Sequence, residues 1–202
     1  MKNIGLWIVL GVVAIFGLGS CSAYNGFVNK STAIDKAVAD VQVDVQRQAN
    51  LIPSLVKVAK GYSDFERETF KEVTMARAAA SAPVINVDPS KIANDPKLQE
   101  QLFAAQQQMS GSLGRLLVTM EKYPDLKSIA LYQQVSDEMA GSQNRISHSR
   151  KVWNAVTADY NASIKRIPGS FIASIGGFKH KDFYTATVQG PAAEMPEISF
   201  EK

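Results

Sequence analysis

Polar and apolar positions alternate along this chain in three different ways, and each predicts a different element. Residues 3–29 contain no charged side chain, and residues 4–18 read IGLWIVLGVVAIFGL. Beyond them the apolar positions become periodic. Ile34, Val38, Val41, Val45, Gln48, Ile52, Leu55, Ala59 and Tyr62 step by four and three, a narrow seam along one helix face with Gln48 its polar member. Pro53 falls inside that seam. Because the seam keeps its phase, a continuous helix kinked at Pro53 is the first expectation; a break at Asn50 is the alternative.

Residues 81–97 carry three prolines and no period, which predicts a connection. Asp95-Pro96 then has the form of an N-cap followed by proline in the first turn. Leu98, Leu102, Ala105, Met109, Leu113, Leu116, Leu117 and Met120 mark a second helix, ending near Tyr123-Pro124. A third follows Tyr132, Val135, Met139, Ser142, Ile146, Ser149, Trp153, Val156, Tyr160, Ile164 and Ile167 until Pro168-Gly169. A short helical piece and a loosely held tail are expected after it. The pattern predicts an all-α fold: a long-helix up-down bundle of three to four helices following an N-terminal membrane anchor. Its divisions are an anchor or signal segment (1–23), the bundle (24–185) and the tail (186–202).

Extended through Cys21, Ser22 and Ala23 the run reaches about 20 residues, which at 1.5 Å each cover a hydrocarbon core of about 30 Å, so the lipid bilayer is the first partner expected. Trp7 and Tyr24 lie near the two ends of the run, where amphipathic rings favour the interface. Two anchored forms are open. The segment stays as a transmembrane helix, or Leu18-Gly19-Ser20-Cys21 acts as a lipobox and Cys21 becomes a lipid attachment site. A working lipobox would export the bundle; the flanking charges, Lys2 against Lys30 and Lys36, are almost balanced.

Composition adds exclusions. Twenty-two basic and nineteen acidic residues in 202 leave a net charge of +3, with no dense basic stripe, so no nucleic-acid partner is expected. Cys21 is the single cysteine, which excludes an intrachain disulfide and a thiolate metal site.

Candidate chemistry is sparse. His148 and His180 stand apart, without HExxH or HxH spacing. His148 falls between seam positions and reads as solvent-facing, and His180 sits in the basic triplet Lys179-His180-Lys181. Glu66, Glu68 and Glu72 interleave with Arg67 and Lys71, the pattern of a solvated face with weak ion pairs. Asn144, Arg145, Asn154, Asp159 and Asn161 crowd the third helix, and Arg47 is placed to meet an acid on a neighbouring helix; such groups more often fix register than bind ligands. Ser142 and Ser149 read as small seam residues that permit close helix approach. No catalytic residue, metal ligand or cofactor is expected.

The residues resemble the LemA family over nearly the whole chain after the anchor. The likeness is carried by Tyr24-Asn25, Ile34-Asp35, Gln46-Arg47-Gln48-Ala49-Asn50-Leu51-Ile52-Pro53, Val58-Ala59-Lys60-Gly61-Tyr62, Ala76-Arg77-Ala78 and Glu121-Lys122-Tyr123-Pro124-Asp125-Leu126. Asn144-Arg145-Ile146, Tyr160-Asn161, Pro168, Gly177-Phe178 and Phe183 continue it. Departures are Gln48 for an arginine, Asn50 for an aspartate, Ser54 for an asparagine, Gln143 for a glutamate and Val38 for a tryptophan, which thins any charge network across the bundle. The family's anchor does not require a cysteine, so Cys21 belongs to this chain. The resemblance implies an anchored bundle of bacterial type without established catalytic residues. The expected function is a non-enzymatic scaffold or adaptor in the cell envelope, with the bundle extracytoplasmic and a membrane or envelope protein as partner. A small-ligand binder or hydrolase using polar groups of the third helix is the alternative, and a homo-oligomer through unused helix faces a further one.

Overall fold

The computed structural model describes residues 4–54, 67–121 and 130–184. Its first helix, α1, is unbroken from Ile4 to Ala49, so the apolar run and the first bundle helix are one element with no interruption at residues 23 and 24. At 46 residues it extends for about 70 Å.

The helix ends at Ala49 and a helical turn restarts over residues 51–54, which corrects the expectation of a continuous kinked helix. The cause is local: Pro53 has no N–H to offer the carbonyl of Ala49 four residues earlier. The Asn50 amide still donates to the Gln46 carbonyl at 3.0 Å, and its side-chain oxygen accepts from Gln46 Nε2 at 3.3 Å. Ile52 remains buried beyond the break. The seam therefore keeps its face although the backbone does not keep its helix.

Helix α2 (Arg67–Ala80) leads to a 3-10 turn (Pro83–Asn86), α3 (Pro89–Asn94), α4 (Pro96–Glu121), α5 (Ala130–Lys165) and α6 (Gly169–Gly176). Residues 81–97 are thus a connection with structure of its own. Asp88 caps α3 by accepting from the Ser90 amide at 2.8 Å, with Pro89 in the first turn. Asp95 repeats the device for α4, accepting from the Lys97 amide at 2.9 Å. Gln42 of α1 donates to the carbonyls of Ile85 and Val87 at 3.0 and 2.8 Å, which seats Val84 and Ile85 in the core.

α1 packs along α5, and α2 along α4. Lys30 meets Asp159 at 2.8 Å and Asp44 accepts from Ser149 at 2.6 Å, so α1 and α5 run antiparallel. Gln143–Ser110 and Arg150–Gln106 bonds set α4 antiparallel to α5 as well. The core joins Ile34, Val38, Val41 and Val45 of α1 to Leu102, Met109, Leu113 and Leu116 of α4 and to Ile146, Trp153 and Tyr160 of α5. Among the described residues every regular element is a helix and there is no strand. Ile167 departs from its expected place in the seam, because α5 stops at Lys165 and leaves it 90% exposed.

Among the described residues no helix is long and apolar enough to cross a membrane. Most side chains of residues 4–18 lie outside the described set, while their backbone is helical. Leu55, Ala59, Tyr62, Glu66, residues 123–125 and the tail 186–202 lie outside the described residues, as do the side chains of Glu68, Glu72 and Met120.

Candidate functional site

Cys21 is exposed on α1 and lines an open groove of about 700 Å³ between α1 and α6. Tyr24 and Asn25 continue the α1 wall, and Phe171, Ile172 and Ile175 form the α6 wall. Two glycines bring these helices together. A Cβ on Gly169 would sit 2.8 Å from the Ser163 carbonyl oxygen and 3.0 Å from Phe27 Cζ. One on Gly176 would meet Phe178 Cε2 at 2.8 Å and Tyr24 Cε2 at 3.2 Å. Gly177, at φ +73°, then turns the chain so that the Phe178 amide donates back to the Ala173 carbonyl at 2.9 Å. Phe178 packs edge-on against Tyr24 and Phe27, with centroids 5.2 and 5.4 Å apart.

From Phe178 the chain returns along α5, held by its backbone. Tyr160 donates to the Lys179 carbonyl at 3.0 Å. Asn161 donates to the Lys181 carbonyl at 2.8 Å and accepts from the Lys181 amide at 3.0 Å. Asn154 does the same for Tyr184, at 3.0 and 2.8 Å. These groups form a clasp that fixes the segment on the bundle without secondary structure.

Two cations sit at the clasp, Lys181 buried and Arg150 half-buried. Lys181 Nζ donates to Ser31 Oγ at 2.9 Å, lies 3.7 Å from Asp35 Oδ1 and 5.6 Å from the centre of the Tyr160 ring. Burial pulls the Lys181 ammonium below the usual lysine value, and Asp35 partly opposes that. The Arg150 guanidinium lies over the rings of Phe103 and Tyr184, 5.2 and 4.7 Å from their centres, and bonds Gln106. Burial lowers its pKa from the ordinary value and pushes the Tyr184 phenol up to about 12.

The remaining polar candidates are placed as follows. Among the described residues Arg47 has Asp44 of its own helix at 4.0 Å. Arg145 bonds Glu138, Asp159 pairs with Lys30, and Asn144 is exposed. Ser149 ties α5 to α1 through Asp44, whereas Ser142 is fully buried with no partner for its hydroxyl among the described residues. His148 is exposed beside Asp44 and Ser149, and His180 is exposed with its ring 6.4 Å from that of Phe183. Among the described residues no three His, Cys, Asp or Glu side chains are grouped to hold a metal. Tyr160-Asn161 and Gly177-Phe178 stand out in the sequence, but no periodic signal marks the clasp or the seating of α6.

A family model described as LemA family matches residues 37–200. The magnetosome protein MamQ 2 of Paramagnetospirillum magneticum is 26% identical over 204 residues, covering 95% of this chain and 74% of the relative. MamQ of Magnetospirillum gryphiswaldense is 26% identical, covering 87% and 68%. Protein LemA of Metamycoplasma hominis is 25% identical over 75% of this chain and 64% of its own length.

Proposed function

The chain belongs to the LemA family, and from that premise we propose that it is a membrane-anchored, non-enzymatic scaffold of the bacterial cell envelope. The observation that carries this is α1. One helix leads from the uncharged run into the centre of the bundle, so a bilayer that takes residues 4–18 holds the whole bundle on a stiff stalk. The proposal takes the transmembrane form, with which an unbroken helix through Ser20 and Cys21 is in keeping.

The polar side chains of α5 that a small-ligand or hydrolase site would use are engaged in holding backbone and in ion pairs. Asn154 and Asn161 grip the clasp, and Asp159 pairs with Lys30. That leaves the outer helix faces for a partner, and relatives named as magnetosome proteins are in keeping with membrane association. Crosslinking of the full chain in intact cells, read by mass spectrometry, tests the scaffold role. The expected result is a reproducible membrane or envelope protein linked to α2, α4 or α5. Recovery of self-links alone would replace the scaffold with a homo-oligomer.

A further inference from the structure

Helix α6 carries no charge, and neither does any residue from Ile167 to Phe178. It lies against the part of α1 that is also uncharged: Gly169 abuts Phe27 and Gly176 abuts Tyr24, both before Lys30, the first charge after Lys2. Its outer face is apolar and open. Phe171 and Ile175, spaced by four, are 72% and 74% exposed and line the groove with exposed Cys21, and Ile167 in the turn before α6 is 90% exposed. Lys165 and Arg166 precede this face and Lys179 follows it, all three exposed.

We propose that α6 is a second membrane contact, lying in the interface of the leaflet where α1 emerges, with Phe171 and Ile175 turned into lipid and Lys165, Arg166 and Lys179 at anionic headgroups. The proposal rests on anchoring by α1. Three features of the molecule select a bilayer as the occupant. The apolar face continues the uncharged surface of α1 without a charged residue between them. Its level on the helix corresponds to residues 21–27, just past the end of the apolar run, where an interfacial helix sinks about 5–10 Å below the headgroups. The charges that border it are basic, the sign that anionic lipid attracts. Tyr24 at the same level supplies a ring suited to that depth.

The test uses the full chain in vesicles of phosphatidylcholine and phosphatidylglycerol, with an environment-sensitive fluorophore on Ile175→Cys in a Cys21→Ser background. Phe171→Cys provides a second site and Val43→Cys an exposed control on α1. The chain should float with the vesicles; emission from 171 and 175 should shift to the blue and be quenched by acyl-brominated lipid, while 43 reports water. Flotation with 171 and 175 still in water would overturn the α6 contact and leave anchoring intact. Shielding at 175 without quenching by brominated lipid would also overturn it, by showing that protein covers the face. Failure to float would remove the anchoring reading, and the α6 contact with it.

Discussion

Asn154 and Asn161 stand seven residues apart on α5, and each carboxamide binds both the amide and the carbonyl of one residue on the returning segment, Tyr184 and Lys181. Seven helical residues rise about 10.5 Å. Three residues of extended chain reach about 10 Å, so the two asparagines have the spacing that the segment needs. The clasp is a length match between a helix and an unstructured chain.

Asn161→Ala removes two bonds and strands the buried backbone of Lys181. Urea unfolding of the detergent-solubilised protein should show a loss on the order of 2–4 kcal/mol. Adding Asn154→Ala should cost less than it does alone, because a segment freed at one end loses its hold at the other. Additive losses would argue against a common clasp.

Gln48 is fully buried in the α1 seam, and neither atom of its amide has a partner among the described residues. Replacing it with methionine conserves volume and relieves the desolvation of the amide. Gln48→Met should stabilise the bundle by about 1–3 kcal/mol in the same assay. A loss of stability would reveal a partner for the amide.

The Tyr184 phenol, pushed up to about 12 by burial, sets an alkaline limit. Its folded value lies above the ordinary value of 10.0, so its contribution is complete below pH 10 and is lost as pH rises through about 12. Its hydroxyl has no hydrogen-bond partner among the described residues. Tyr184→Phe should therefore preserve neutral stability and reduce the loss between pH 10 and 12. Circular dichroism across that range measures it.

Gly169→Ala forces a methyl group to within 2.8 Å of the Ser163 carbonyl oxygen and 3.0 Å of the Phe27 ring. Backbone cannot yield as a flexible side chain would. A loss of about 1–3 kcal/mol is expected, with faster proteolysis between α5 and α6. A variant as stable as the parent would contradict close seating of α6 on α1.

Much of this architecture could be read from residue spacing. The α1 seam from Ile34 to Ile52 is buried throughout, the Asp95-Pro96 start of α4 is where its cap predicts, and Trp153 and Tyr160 fill the core from α5. Spacing misled where side-chain phase and backbone bonding part company, as at Asn50, where Ile52 stays inside although the helix has ended. Helix α3 is too short for a period, yet its Asp88-Pro89 start repeats the Asp95-Pro96 cue in plain view. The clasp left no periodic trace, because Asn154 and Asn161 recognise backbone, and backbone is the same whatever the side chains.

Anchoring by an uncleaved α1 is tested most directly by the intact mass of the protein recovered from carbonate-washed cell membranes. A stalk that crosses the bilayer gives a carbonate-resistant chain that retains the residues before Cys21, with no lipid added and the same behaviour in Cys21→Ser. A chain found in the wash, or one beginning at a lipidated Cys21, would contradict it.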